Sequence, residues 1–494
     1  YWAAIFPNII VKLNRKKNIT SYQLKMNENS FTPKNHLDFI KNTYKDTWNH
    51  LAFIRILKYL NPKEIKIIRK NFKNLDKGSN IKFIEEKKTF SNSIVHFYEL
   101  LIAKFAFRYN KIILESFSFP TKGFLKISLK NLIIPSLYKY LFKDIGVKED
   151  LDYEQRQTEF KVLNRNKFND KFFDFLENNL IHDLPISYYE NFLMIRKKML
   201  QLANKKKIII SMRSWNYNDQ FKICAAELIK KKSQYYTCAH GGGLVGEFIH
   251  IKNYIGQISG HIHYDTDSSY NKKSFRLSPT INVIDKREIN TKKNETLNIA
   301  FLEGNKYSHK LMSSAKAEEG INQISELLGF INNLPNNIKK NLFLRCKQPY
   351  QLNIKERFIG KFGKEKFNEN WKQNFFDFAR SSKLMIVNYP QTAFSSSMYY
   401  NIPTILVCDK KFWFFKKKSL KMFKLLKQNK MAFENFSDAQ KHIIKNWDKI
   451  YYWWNSKNIQ DTRKLYLKNF FNIEENWLDK WTNFIFDQKK KVFN

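Results

Sequence analysis

Residues 207–243 read KIIISMRSWNYNDQFKICAAELIKKKSQYYTCAHGGG, and this stretch decides the fold. Lys207–Ser211 is a short β-branched run, and Met212–Asn218 is polar with a turn. Over Asp219–Lys232 the apolar residues Phe221, Ile223, Cys224, Ala226, Leu228 and Ile229 recur with helical period. Gln234–Cys238 is strand-like again and runs into His240-Gly241-Gly242-Gly243. Strand, turn, helix, strand and glycine loop make one βαβ unit, which predicts a parallel sheet with its site at the strand carboxyl ends.

Working outward, a second unit of the same kind begins near Leu297. Leu297–Leu302 and Asn341–Arg345 read as strands around a helix over about 315–332, and the polar loop Glu303–Lys310 follows the first of them. Lys383–Val387 reads as a buried strand, followed by a polar loop, a helix to Tyr400 and the strand Pro403–Val407. The chain is predicted to be α/β, with two Rossmann-like lobes meeting around residue 290. Residues 1–204 form a mainly helical N-terminal region of the first lobe, and 205–290 its Rossmann-like part. Residues 291–432 form the second lobe, and 433–494 the Trp-rich C-terminal helices. No repeat of solenoid or propeller spacing is visible.

The composition narrows the classes. Among 494 residues, 43% are hydrophobic and 16% aromatic, enough for a large core, which excludes a disordered chain. The 87 Lys and Arg outnumber 45 Asp and Glu, giving +42. Only 14 of these cations are Arg, and Lys is spread along the whole chain beside abundant Asn, Ile and Phe. That is the signature of AT-rich codons on a solvated surface, and no nucleic-acid partner is expected, because such a partner wants a stripe or a tail. Four cysteines lie far apart in apolar runs, as buried thiols of a reducing cytosol do. No stretch reaches the ~18–20 apolar residues of a membrane span. The nearest, Ser93–Phe107, carries His96, Glu99 and Lys104. The chain begins at Tyr1 rather than Met, which reads as a fragment with a leader left open.

Four segments carry chemistry. In Ala239–Glu247, Gly241, Gly242 and Gly243 let a ligand approach the backbone, whose N–H groups can cradle a phosphate. His240 at a strand end is placed to act as a base, with Glu247 to orient it or to serve as a second acid/base. His-Gly-Gly-Gly also forms an esterase oxyanion hole, but the chain has no G-x-S-x-G elbow. Gly260–Asp267 (GHIHYDTD) holds H-x-H and D-x-D patterns. D-x-D recurs at Asp150-Leu151-Asp152, so these are read as polar loop residues, with no metal and no cofactor expected. Arg345, closing the NLFLR run, suits a diphosphate by bidentate contact. Asn388–Ser397, with Gln391, Thr392, Ser395 and Ser396, offers hydroxyls and free N–H groups at a helix start, an anion and ribose site. Lys410–Lys430 alternates lysines with aromatics; it reads as a helix packed by its apolar face rather than one lying on a membrane.

With these motifs in order, the sequence resembles the transferases of bacterial O-antigen and surface-polysaccharide clusters, GT-B-like relatives of nucleotide-sugar glycosyltransferases and glycerophosphotransferases. The resemblance covers about residues 205–485. It rests on Ala239–Gly246, Asn341–Arg345, Asn388–Thr404, and Trp453-Trp454-Asn455-Ser456 with Gln460. Here Ala239 replaces the usual Gln, Leu244-Val245 stands where Tyr is typical, and Ser396 stands where the family carries a Glu suited to a ribose. The Trp-Gly-Trp segment near 260–267 is absent.

The resemblance implies a cytoplasmic enzyme that transfers a sugar or related group from a nucleotide-activated donor to a glycan or lipid-linked acceptor of the O-antigen, lipopolysaccharide or capsule. It would need no metal, and peripheral contact with the inner membrane stays open. His240 and Glu247 would be catalytic. Gly241, Gly242, Gly243, Arg345, Gln391, Thr392, Ser395 and Ser396 would hold the donor. The competing reading is a non-enzymatic basic protein docking anionic glycan, lipid or nucleic acid.

Overall fold

The computed structural model describes residues 19–24, 31–60, 65–70, 90–117, 119–136, 138, 141–142, 151–163, 170–212, 214–239, 241–245, 260–264, 274–279, 295–304, 318–346, 352–369, 375–413 and 415–493. Near the start, β1 (Ile19–Leu24) and β2 (Ile65–Lys70) pair in parallel. The first large sheet is built from β3 (Ile112–Glu115), β4 (Ile208–Ser211), β5 (Gln234–Cys238), β6 (Gly260–His263) and β7 (Ser274–Arg276). They lie in sequence order, all parallel.

The Ile208-Ile209-Ile210 run is buried throughout because both sheet faces are covered. Ile209 faces Ala103, Phe107, Ile195, Met199 and Phe221, from helices over 90–109, 192–202 and 219–230. Ile208 and Ile210 face Ile127, Trp481 and Ile485, from helices over 121–130 and 477–493. Each such isoleucine contributes about 1.5–3 kcal/mol by leaving water.

Three strands of this lobe, β3, β6 and the short β7, were not read from the sequence. β3 lies inside the region read as mainly helical. Gly260–His263, read as loop, is the strand β6. Its histidines are buried because the sheet gives them polar neighbours: Thr237 Oγ1 shares a hydrogen bond of 2.9 Å with His261 Nδ1.

The second sheet comprises β8 (Leu297–Phe301), β9 (Leu342–Cys346), β10 (Leu384–Val387), β11 (Thr404–Val407) and β12 (Ala432–Phe433). All are parallel, in the order β12-β11-β10-β8-β9. Helices over 318–332, 354–362 and 436–446 cover one face. Helices over 375–380, 392–399, 417–428 and 457–470 cover the other. Lys417–Gln428 buries Met422, Phe423 and Leu426 and turns its lysines to water, as the packing reading of that segment expects.

Trp454 and Gln460 have one shared target. The Trp454 indole donates to both the backbone and side-chain oxygens of Asn401 (3.1 and 3.0 Å), and Gln460 Nε2 donates to the same side chain (3.1 Å). Asn401 sits at φ +56°, in the turn between helix 392–399 and β11. The final helix, Trp477–Phe493, returns to the first lobe, where the Trp481 indole donates to Ser278 O. The two lobes are therefore linked twice by the chain. The boundary near residue 290 lies outside the described residues.

Candidate active site

An open parallel sheet offers a crevice where its strand order reverses, outside the strand carboxyl ends. In the second sheet that point lies between β8 and β10. Asn388, the first residue after β10, spans it: Leu302 N donates to Asn388 Oδ1 (2.6 Å) and Asn388 Nδ2 donates to Leu302 O (2.9 Å). The next residue on the β8 side, Glu303, is buried and accepts from Leu352 N and Ile354 N, which fixes the start of helix 354–362. Burial, and after it the Glu303 carboxylate, hold the Cys346 thiol pKa well up. All four cysteines are buried and free of disulfides.

Beside this crevice, over the ends of β10, β11 and β12, is a cavity of about 180 Å³. Asn388, Asp409, Glu434 and Asn435 line it from the sheet side, and Asn322, Gln323, Glu319 and Glu326 from helix 318–332, with Phe412, Phe436 and Lys411, which pairs with Asp409 at 3.1 Å. Burial raises the Glu326 pKa, and Asp409 raises it further. A carboxylate-rich pocket is unusual on so basic a chain. Its amides match the edges of a base, its carboxylates accept hydroxyl donors, and its rings offer stacking faces. Of these residues, sequence reading had singled out Asn388 for a nucleotide site, and had read Lys411 and Phe412 as part of a packed helical segment.

The glycine loop does not stand clear of the second lobe. A Cβ on Gly241 would collide with Thr392 Oγ1, and one on Gly242 with the Tyr264 hydroxyl. One on Gly243 would lie 2.7 Å from Pro390 O, 2.8 Å from Ser395 Oγ and 2.9 Å from the Tyr466 hydroxyl. Beyond it, Leu244 and Val245 are buried in the second lobe's core with Val387 and Phe394. These glycines let two backbones meet across the lobes.

Ser395 is fully buried; its hydroxyl donates to Gly242 O (2.9 Å) and pairs with Tyr466 OH (2.6 Å). Ser396, also fully buried, donates back to Thr392 O (2.7 Å). Gln391 and Thr392 are half-buried at the open start of the helix, where no side chain caps the first turn.

Arg345 is not at the strand end next to the Asn388–Ser397 loop. β8 lies between β9 and β10, and β9 runs one residue past Arg345. Because strand residues alternate, Arg345 turns from the face of Leu344 and Cys346 to that of Ala300 and Val387. Its guanidinium sits 5.7 Å from the Phe378 ring centroid, and the small Ala300, its register partner, leaves it room. It is near enough to Tyr389 to oppose the rise that burial imposes on that phenol's pKa.

In the first lobe, sequence reading missed a row of buried polar residues. Glu115, Ser211, Thr237 and His261 are register partners on four adjacent strands, close to the carboxyl ends. Ser211 Oγ donates to Glu115 at 2.8 Å, and the hydroxyls of Ser116 and Ser214 donate to the same carboxylate. Burial raises the Glu115 pKa, and those three hydroxyls oppose the rise. His240, Glu247 and Asp265–Asp267 lie outside the described residues. Among the described residues, no group of three His, Cys, Asp or Glu is placed to hold a metal ion, and no helix is long and apolar enough to cross a membrane.

The profile of the LIC12162 family transferase matches residues 9–485, nearly the whole chain. The chain belongs to that family. As a LIC12162 family transferase it is an enzyme, and the reading as a non-enzymatic basic binding protein falls. No curated protein matches it. Among solved structures it is similar to S. aureus MnaA in complex with UDP, at 8% identity and TM-score 0.39, covering 97% of this chain and 98% of that one. It is also similar to a Listeria monocytogenes structure assigned as a UDP-N-acetylglucosamine 2-epimerase, at 8% identity and TM-score 0.37, covering 62% of this chain and 80% of that one.

Proposed function

We infer that this LIC12162 family transferase moves a sugar or related group from a nucleotide-activated donor to a surface-glycan acceptor. The observation that carries the reading is the cavity beside the β8/β10 switch point, lined by Asn388, the residue that spans that point. In this reading the donor's base and ribose occupy the cavity, on the amides of Asn322, Gln323 and Asn435 and the carboxylates around them. Its diphosphate lies towards Gln391, Thr392 and the open helix start. Arg345, whose charge is felt at Tyr389, adds positive potential to the same crevice. His240, two residues beyond β5 in sequence, takes the proton of the acceptor hydroxyl. Closed lobes keep water from the donor.

A panel of nucleoside diphosphate sugars, assayed for release of the nucleoside diphosphate, tests the reaction. Calorimetric titration with the free nucleoside diphosphate tests the site. Arg345→Ala is expected to weaken it about ten- to a hundredfold, the range for a lost charge-assisted contact, and Thr392→Val by less. Unchanged affinity in both variants places the donor elsewhere.

A further inference from the structure

One wall of the cavity over the ends of β10, β11 and β12 belongs to a single helix. On Glu318–Asn332, the residues Glu319, Asn322, Gln323 and Glu326 stand three or four apart and form one stripe that faces the cavity. The buried stripe of the same helix, Ile324, Leu327 and Ile331, packs into the core of the second lobe and holds the wall in place.

The polar groups across the cavity are already engaged. The Asn388 amide exchanges hydrogen bonds with Leu302, and the Asn435 amide with Asp438. Asp409 pairs with Lys411 (3.1 Å) and Glu434 with Lys427 (2.7 Å). Among the described residues, no hydrogen bond or ion pair holds Glu319 or Glu326, and Lys411 reaches them only as a charge. Burial first, and Asp409 second, push the Glu326 pKa up, so donors brought by a ligand would relieve that carboxylate. The helix thus offers two open carboxylates, which only accept, around two amides, which accept or donate.

Such a wall suits a base whose edge carries donors side by side. Guanine presents N1–H and its 2-amino group in parallel, a fork that one carboxylate accepts, and its O6 beside them takes an amide N–H. Cytosine and adenine present a single amino group next to a ring nitrogen that only accepts, and uracil sets two carbonyl oxygens around one N–H. Those acceptor atoms meet a carboxylate unfavourably. Asn322 and Gln323 lie four and three residues before Glu326, on the same face, where O6 of a guanine held by Glu326 would need its donor.

We propose that the donor is a guanosine diphosphate derivative, with Glu326 accepting from N1–H and the 2-amino group and the Asn322 and Gln323 amides facing O6. The proposal rests on the donor reading above and names the base that this site selects.

The full chain is titrated calorimetrically with the diphosphates of guanosine, inosine, uridine, cytidine and adenosine. Guanosine diphosphate is expected to bind tighter than the uridine, cytidine and adenosine compounds by about tenfold or more, the worth of a bidentate base contact. Inosine diphosphate, which lacks the 2-amino group, should fall between. Glu326→Gln keeps the side chain's size but turns an amide N–H on the donors. It should weaken guanosine diphosphate by about tenfold or more and leave uridine diphosphate close to wild type. Melting temperature controls for folding. A uridine, cytidine or adenosine diphosphate that binds as tightly as guanosine diphosphate overturns the proposal and leaves the donor reading standing. So does a Glu326→Gln chain that binds guanosine diphosphate like wild type. If none of the five binds, the donor reading falls and this proposal falls with it.

Discussion

At neutral pH His442 is an uncharged imidazole held between the rings of Phe433 (centroids 5.5 Å apart) and Trp453 (5.3 Å). Burial first, and the Lys430 charge second, push its pKa down to about 4 from the ordinary 6.5. The unfolded chain therefore binds a proton more readily than the folded one. The stability that the neutral ring contributes is complete above pH 6.5 and is lost as the pH falls through about 4. His442→Phe keeps the ring contacts without the proton, so its melting temperature should fall less between pH 6.5 and 4 than that of the wild type. Parallel curves would refute this. His240 gives the matching prediction for activity: His240→Asn should leave the melting temperature nearly unchanged and cut transfer by about two to four orders of magnitude, the weight of a general base. An unfolded variant, or a fully active one, removes His240 from the mechanism. The sequence named this residue through its glycines. It could not name the polar row of the first sheet, because a buried Glu115 looks like a surface residue, and His261 like a loop residue, until their neighbours on adjacent strands are known.

Among elements, β4, β5, β8, β9, β10 and β11 were legible because apolar, often β-branched runs sit between turn signals, and a fully buried parallel strand needs little else, whereas the short β7 and β12 were not read. β3 escaped, although Lys111–Glu115 (KIILE) nearly repeats Lys207–Ser211 (KIIIS) and places its polar residue at the same register. It follows directly on a twenty-residue helix, and its apolar residues continue that helix's spacing. β6 escaped because alternation of His with Ile reads as polar, and only the Thr237 contact shows why it is buried. The Trp-Trp-Asn-Ser and Asn-Ile-Pro-Thr segments were visible as motifs, but not that one holds the other. Asn401 makes that a measurable claim. Asn401→Ala loses an acceptor of two hydrogen bonds and keeps a left-handed residue, and should cost about 2–3 kcal/mol. Asn401→Gly loses the same acceptor but suits the conformation, and should cost about 1 kcal/mol less. Equal losses in chemical denaturation would mean that the φ of +56° carries no penalty here.

At the scale of the molecule, the two lobes are joined by the glycine loop, helix 392–399 and Tyr466. Sequence reading gave the glycines and Thr392 to the same donor; that they touch depends on how two sheets are docked, which no local pattern encodes. Gly243→Ala drives a methyl against Pro390 O, Ser395 Oγ and the Tyr466 hydroxyl at once, and overpacking of this kind costs about 1–3 kcal/mol. It should lower the melting temperature and slow transfer together, and pairing it with Tyr466→Phe, which removes one of the three atoms, should recover part of the loss. No recovery would place the clash elsewhere.

The return of the last helix has a consequence for how such an enzyme can be taken apart. Because Trp481 and Ile485 complete a face of the first sheet, the first lobe is made of two stretches distant in sequence, and a chain cut after β7 would strip Ile208, Ile210 and Tyr236 of their packing against Trp481, Phe484 and Ile485. The second lobe is one uninterrupted stretch, from Leu297 to Phe470, carried as an insert inside the first. Exchange of that single stretch between relatives could therefore swap one half of the enzyme's chemistry while leaving the framework of the other covalently and structurally whole.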